Sequence, residues 1–204
     1  HYKRIKNCYL RVEKGEVVIR CSPLFPQSEI EKLIRNHQEE ILEQIKGYVP
    51  KYNYQEDGYV YLFNQKYQIV LKDMNIKKCA IHDRQIYVYS KNIQATIEMF
   101  LKQELMNYLK ERIDFYLSTS FHHVFPEIQI KKMKRRWGAC FYQKNRVCFN
   151  LVLAHIDYAL IDYVIVHELC HFLEANHSKA FYHEIEKRMP DYKERERLLK
   201  DVGI

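Results

Sequence analysis

Apolar positions in the first fifty residues predict a hairpin followed by a helix. Residues 4–20 alternate between apolar and polar side chains around a turn at Lys14 and Gly15, which is typical of a β-hairpin. Further on, an apolar residue recurs every three or four positions. This period predicts one helix that begins at Ser28, as its N-cap, and ends near Lys46.

The next seventy residues change from a period of two to a helical period. Residues 58–90 hold four short runs of β-branched and aromatic residues, with turns near Asn64 and Asp83, and predict paired strands. From 93 to 117 the apolar residues are spaced by three and four, which predicts a long helix.

A second set of strands and a nearly all-apolar helix follow. Short strands are predicted at 128–134, 137–142 and 146–154. Asp157 begins a helix that is expected to reach Glu174, and further helices are expected after Ser178 and after Pro190. The order of elements predicts an α+β protein, with an N-terminal β-rich region at 1–90 and a region at 91–204 that carries the chemistry.

Composition supports a folded chain with a packed core. Of 204 residues, 47% are hydrophobic and 14% aromatic, with only 5 Gly and 5 Pro, so disorder is excluded as the main state. Apolar stretches are too short to cross a membrane, for which about 20 residues are needed. The first twenty residues lack the apolar core of a signal peptide, and we expect a cytoplasmic protein.

The six cysteines are scattered, with no pair separated by two residues. Free thiols are therefore the favoured interpretation. As an alternative, Cys140 and Cys148 could face each other across a hairpin centred near Lys144 and form a disulfide if oxidised.

The positive charge is concentrated in one segment. The chain has 33 Lys and Arg against 26 Asp and Glu. Residues 128–156 contain seven basic residues and no acidic one, and removing these seven leaves 26 of each sign elsewhere. The basic residues are Lys131, Lys132, Lys134, Arg135, Arg136, Lys144 and Arg146. The segment 131–146 is either a solvated basic surface or a face that binds nucleic acid or an acidic substrate.

An H-E-x-x-H motif lies inside the predicted apolar helix. His167 and His171 are four residues apart, so both imidazoles lie on one face of the helix and can bind one metal ion. Glu168 is rotated by about 100° and can reach a water bound to that ion. Three neutral imidazoles with one open position are typical of catalytic zinc.

The third ligand is the least determined part of the site. His177 lies six residues beyond His171, and the chain can turn between them, with Ser178 fixing the start of the next helix. A carboxylate of Glu174, Glu184 or Glu186 competes with His177 for this position. Cys170 lies about 60° to the far side of His167 on the helical wheel and is more typical of packing than of a metal ligand.

The sequence resembles the YgjP-like family of predicted zinc metallopeptidases, relatives of the SprT-like and WLM metallopeptidases. The matching segments are RRWGAC at 135–140, FN at 149–150, DYVIVHELCH at 162–171 and NHSKAF at 176–181. The family usually has Ser where this chain has Ala139, so any role of that hydroxyl is absent.

The resemblance implies a zincin-like C-terminal half, in which a small β-sheet lies beside the H-E-x-x-H helix. It also implies that His167, His171 and His177 are zinc ligands and that Glu168 is the catalytic base, in agreement with their spacing. No substrate-binding residue is indicated.

Three functions remain open from the sequence. The first is a zinc metallopeptidase that cleaves proteins or peptides, whose substrate could pair with strands near 137–150. The second is a zinc hydrolase of a non-peptide amide, because nothing in the motif selects a peptide. The third is a nucleic-acid-associated module with a structural metal. A glutamate beside the histidines favours the first two, because a structural site needs no general base.

Overall fold

The computed structural model describes residues 8–13, 16–47, 52–74 and 76–203. The chain forms two compact units, His1–Lys51 and Tyr52–Ile204. The composition change near residue 90 falls inside the second unit, so whether 1–90 and 91–204 are separate functional regions stays a prediction. The elements confirm the predicted α+β class.

The described residues of the first unit form two strands and two helices. They are β1 (Tyr9–Glu13), β2 (Glu16–Arg20), α1 (Gln27–Asn36) and α2 (Gln38–Gly47). β1 and β2 pair antiparallel, as predicted, and the turn predicted at Lys14 and Gly15 lies outside the described residues.

The single helix predicted from Ser28 to Lys46 is wrong in two respects. His37 leaves the helical region, with φ −115° and ψ 18°, and its Nδ1 donates to the carbonyl of Leu33 at 3.1 Å. This change of backbone conformation at His37 ends α1 and separates it from α2. In addition, Pro26 rather than Ser28 is the N-cap, since proline fixes the backbone just before the first turn.

The described residues of the second unit form two sheets and four α-helices. The five-stranded sheet comprises β3 (Tyr52–Asn53), β4 (Tyr59–Leu62), β5 (Gln65–Leu71), β6 (Lys78–His82) and β7 (Gln85–Tyr89), in the order β3-β4-β5-β7-β6. The three-stranded sheet comprises β8 (Glu127–Lys131), β9 (Gly138–Phe141) and β10 (Arg146–Asn150), in the order β8-β10-β9. The helices are α3 (Ile93–Tyr116), α4 (Tyr158–Cys170), α5 (Lys179–Arg188) and α6 (Tyr192–Val202).

Local sequence determines the two hairpins of the larger sheet. Phe63 and Asn64 have positive φ between β4 and β5, and Asp83 has φ 53° between β6 and β7. Asn and Asp tolerate this conformation better than most residues, which confirms both predicted turns.

In the smaller sheet, β10 lies centrally, parallel to β8 and antiparallel to β9. The strand predicted to continue to 154 ends at Asn150, because residues 151–155 form a 3₁₀ turn capped by the Asn150 side chain. The β9–β10 register pairs Cys140 with Val147 and Cys148 with Ala139. The two thiols therefore lie on opposite faces, and all six cysteines are free, which confirms the favoured interpretation and excludes the alternative pairing of Cys140 with Cys148.

Helix α4 lies in the core of the second unit. Ten of its thirteen residues are buried, as expected for a helix that is apolar on all sides. Asp157 caps its start by accepting from the N–H of Ala159. The helix ends at Cys170 rather than at the predicted Glu174. The residues after it form turns, in which the N–H groups of Leu173 and Glu174 donate to the Cys170 carbonyl.

Candidate metal centre

The end of α4 and the start of α5 bring three histidines together. His167 and His171 are one helical turn apart, with ring centroids 5.2 Å from each other. The chain then turns, and His177 precedes Ser178, whose side chain accepts from the N–H of Phe181 and caps α5. This cap was predicted, and it fixes the backbone beside His177.

The ring nitrogens of these histidines converge on a small volume. One nitrogen from each of His167, His171 and His177 lies within 4.8 Å of the others. The Nε2 atoms of His167 and His177 are 3.0 Å apart. Among the described residues, this is the single group of three metal-ligating side chains.

The ring of Phe181 packs against all three imidazoles. Its ring is fully buried, and its centroid lies 5.0 Å from that of His167, 4.6 Å from His171 and 4.8 Å from His177. The Nδ1 of His171 also donates to the Glu174 carbonyl at 3.2 Å, which leaves Nε2 to face the cluster. The rings are thus oriented by packing and by a hydrogen bond.

The donor set fits a zinc ion. Tetrahedral zinc with Zn–N bonds of about 2.0–2.1 Å places its nitrogens about 3.3 Å apart, close to the 3.0 Å between His167 and His177. Burial and the neighbouring His171 and His177 lower the pKa of His167 to about 3. His167 is therefore a neutral imidazole at neutral pH, which is the form that binds metal.

Glu168 is a buried carboxylate next to the histidines. The residue is 5% exposed, and burial raises its pKa to about 8, against the lowering effects of the Cys140 N–H and of the positive charge of Arg136. Within the described part of the chain, Glu168 forms no salt bridge. Backbone contacts and packing therefore hold the Glu168 side chain, and no described Lys or Arg forms an ion pair with it.

The backbone of β9 contacts Glu168 through Gly138. A Cβ atom added to Gly138 would lie 2.5 Å from Glu168 Oε1, 2.7 Å from Cγ and 2.8 Å from Cδ. No real side chain tolerates such distances, so Glu168 occupies the space that a larger residue would fill. Sequence reasoning assigned Gly138 no role, although an isolated glycine in a strand indicates a close approach.

Asn150 is a second residue whose role was missed. It is 2% exposed, and its Nδ2 donates to the carbonyls of Met133 and Arg136, both at 2.8 Å. Its Oδ1 accepts from the N–H of Met133 at 3.2 Å. This one side chain therefore fixes the loop between β8 and β9, which precedes Gly138. An asparagine at the end of an apolar strand was the only indication.

The competing carboxylate ligands lie in other environments. Glu184 forms ion pairs with Lys187 at 2.8 Å and Arg188 at 2.6 Å. Glu174 contributes its backbone carbonyl to His171, and Glu186 is exposed on α5. Cys170 is fully buried, and burial raises the pKa of its thiol to about 12, as expected for a packing residue.

Two members of the basic segment are neutralised by ion pairs. Lys132 lies 2.7 Å from Glu98, and Arg146 lies 2.7 Å from Glu127. Binding of nucleic acid by this segment stays a prediction. In the described part of the chain, no helix is long and apolar enough to cross a membrane.

Comparison with protein families identifies the class of this protein. The chain matches the YgjP-like, metallopeptidase domain family over residues 6–202. Since the match covers nearly the whole chain, the protein belongs to this metallopeptidase family, as the resemblance predicted. No curated protein matches the sequence.

Two solved structures are similar to part of the chain. The metallopeptidase zymogen of Pyrococcus abyssi abylysin is 17% identical, with a TM-score of 0.42 over 46% of this chain and 94% of that chain. The metallopeptidase zymogen of Methanocaldococcus jannaschii jannalysin is 24% identical, with a TM-score of 0.41 over 46% of this chain and 96% of that chain.

Proposed function

We propose that this protein is a zinc-dependent, zincin-like metallopeptidase in which His167, His171 and His177 hold the ion and Glu168 is the general base. Family membership supports the class of enzyme. The observation that carries the finer proposal is the convergence of three imidazoles beside a buried carboxylate. A structural metal would not require Glu168 at that place.

When bound, zinc supplies a water whose pKa is near 7 and polarises the carbonyl oxygen of the scissile bond. Glu168 takes a proton from the attacking water at a carboxylate oxygen. The same residue then returns the proton to the leaving amide nitrogen, so it acts first as base and then as acid. Burial raises the pKa of Glu168 to about 8, near the operating pH, where one group can both accept and return a proton.

The outer edge of β9 suits an extended peptide. β9 is the last strand of its sheet, and Asn150 N–H donates to the Trp137 carbonyl at 2.8 Å. By antiparallel alternation, Ala139 also faces β10, while both backbone groups of Gly138 and the carbonyl of Cys140 point to the other side, where the N–H of Cys140 is bound to Glu168. A peptide that adds to this edge runs past Glu168, which supports a peptide substrate over a small amide.

Substitution of the base by its amide tests the proposal. Glu168→Gln is expected to retain zinc, measured by mass spectrometry of the metal, and to cleave denatured casein about 10²–10⁴-fold more slowly. His171→Ala is expected to lose zinc as well as activity. Glu186→Gln is the matched control, because it makes the same change at an exposed position on α5.

The outcomes separate the alternatives. Full activity of Glu168→Gln at unchanged zinc content would contradict a base at this position. Loss of zinc in Glu186→Gln would make that carboxylate the third ligand in place of His177. Hydrolysis of small amides without cleavage of any peptide would favour the non-peptide hydrolase.

A further inference from the structure

The loop between β8 and β9 is a rigid, positively charged segment beside the candidate metal centre. It spans 132–137, and its backbone is bound by the buried side chain of Asn150 through three hydrogen bonds of 2.8–3.2 Å. One of these bonds holds the carbonyl of Arg136 itself. These bonds hold the backbone of the loop in one conformation.

Three cations of this loop are available to a ligand. Lys134, Arg135 and Arg136 are exposed and form no salt bridge with any described residue. Lys132 differs, because Glu98 neutralises it at 2.7 Å. No acidic residue occurs anywhere in 128–156, so the sequence provides no local partner for the three.

Of the three exposed cations of the loop, Arg136 is the closest along the chain to Gly138. It lies two residues before Gly138, and two residues of extended chain span at most about 7 Å. Gly138 in turn contacts Glu168 directly, at the distances given above. The guanidinium is also close enough for its charge to act on the Glu168 carboxylate. A substrate positioned over Glu168 therefore passes the basic loop.

We infer that the substrates carry a negative charge near the scissile bond and that Arg136, assisted by Arg135 and Lys134, binds it. The inference rests on the proposed peptidase function only where it places the negative charge near the bond that is cleaved. The binding of an acidic peptide by the loop does not depend on that function. An arginine presents a planar fork of donors that suits a carboxylate. An acidic peptide is favoured over nucleic acid because three of the cations without an ion pair lie together in one short loop, whereas Lys132 and Arg146 are already paired.

Matched peptide pairs test the inference. Each pair is identical except for Glu or Gln at one of the three positions on either side of the bond that the wild-type protein cleaves in casein-derived peptides. Cleavage is measured as kcat/KM with wild type, and binding by fluorescence anisotropy with Glu168→Gln. We expect at least one position at which Glu is preferred about tenfold in both measurements.

Variants of Arg136 identify the residue responsible. Arg136→Gln is expected to reduce the preference to less than about threefold, and Arg136→Lys to retain a part of it, because the charge remains. Lys110→Gln removes the same charge from an exposed position on α3 and is expected to leave the preference unchanged. Raising the salt concentration from 0.05 to 0.5 M is expected to weaken the wild-type preference, since exposed charges are screened.

Several outcomes would overturn the inference. These are equal kcat/KM for Glu and Gln at every position, an unchanged preference in Arg136→Gln, or an equal loss with all peptides in that variant. Tighter binding of a single-stranded oligonucleotide than of any acidic peptide, lost in Arg136→Gln, would assign the loop to nucleic acid. Binding with the expected preference but without cleavage of any peptide would support the inference and contradict the proposed function.

Discussion

Helix α4 carries two buried carboxylates whose surroundings are opposite. Asp162 is 8% exposed and Glu168 is 5% exposed. Arg112 donates to both oxygens of Asp162, at 2.7–3.2 Å, and the hydroxyls of Tyr108 and Tyr116 donate to the same carboxylate at 2.8 and 3.1 Å. Glu168 has a backbone N–H and the bare backbone of Gly138 in place of such partners.

Under the proposed function, the difference separates a structural acid, Asp162, from a reactive one, Glu168. The partners of Asp162 all lie on α3, so the network joins two helices of the core. Asp162 raises the pKa of Arg112 and, together with burial, that of Tyr108, which keeps both groups protonated. The donors on α3 occupy the lone pairs of the Asp162 carboxylate, whereas Glu168 retains free lone pairs.

The largest expected effect is on the structural side of this comparison. Asp162→Asn leaves the Arg112 guanidinium without its anion, and removing one partner of a buried pair costs about 3–5 kcal/mol. For a unit of this size we expect the melting temperature to fall by about 10 °C. Thermal and urea denaturation of the metal-free protein measure the change, so that metal binding does not contribute.

Glu168→Gln is the matched substitution at the other carboxylate. It leaves no unpaired cation, and we expect the free energy of unfolding to change by less than about 1 kcal/mol. An equal loss of stability in both variants would contradict the distinction between a structural and a reactive acid. A stable Asp162→Asn would mean that water replaces the lost partner of Arg112.

Local patterns predicted most of the elements and the convergence of three histidines, but not the long-range contacts. Helix α4, the cap at Ser178 and the convergence of His167, His171 and His177 depend on spacing within about ten residues, and sequence reasoning found all of them. Arg112 and Asp162 are 50 residues apart. Nothing in either local segment indicates that they meet, because their contact arises only when α3 packs on α4.

The same limit explains the errors. Whether Cys140 faces Cys148 depends on the register between β9 and β10, because a shift of one residue turns each side chain to the opposite face of the sheet. The break at His37 depends on one backbone conformation within an otherwise helical pattern. Gly138 could have been noticed as a strand glycine, but its contact with Glu168 requires the position of β9 against α4.

The second prediction concerns the space that Gly138 leaves for Glu168. Gly138→Ala places a methyl group within 3 Å of three Glu168 atoms, so the carboxylate must move. Because a displacement of about 1 Å can cost about 10²-fold in rate, we expect kcat for peptide cleavage to fall about 10–100-fold. Zinc content is expected to stay unchanged, because the three histidines lie on α4 and the turn after it.

Ala139→Ser is the control for this substitution. It adds one atom at the next residue of β9, on the opposite face, and we expect activity within about twofold of wild type. Loss of zinc in Gly138→Ala would show that the glycine supports the metal site as a whole. A fully active Gly138→Ala would contradict the positioning of Glu168 by β9.

The smallest expected effect concerns Glu184, a carboxylate that is paired like Asp162 but lies near the surface. Lys187 and Arg188 lower its pKa to about 2, and Arg188 also donates to the Ser120 carbonyl at 3.1 Å. A lowered pKa in the folded state stabilises the protein above the unfolded value, near 4.5, and this contribution is lost as the pH falls through about 2. Since the side chain is partly exposed, we expect less than about 1 kcal/mol.

The melting temperatures of wild type and Glu184→Gln, compared at pH 6 and at pH 3, measure this contribution. We expect wild type to melt at a higher temperature than Glu184→Gln at pH 6, and we expect this difference to be smaller at pH 3. Glu186→Gln, on the same helix, is expected to show no such dependence. A difference that grows as the pH falls would contradict the assigned ion pairs. If Glu184→Gln lowered the free energy of unfolding by several kcal/mol at pH 6, ion pairs near the surface would stabilise the protein as much as the buried Asp162 network. Burial would then not explain the difference between Asp162 and Glu184.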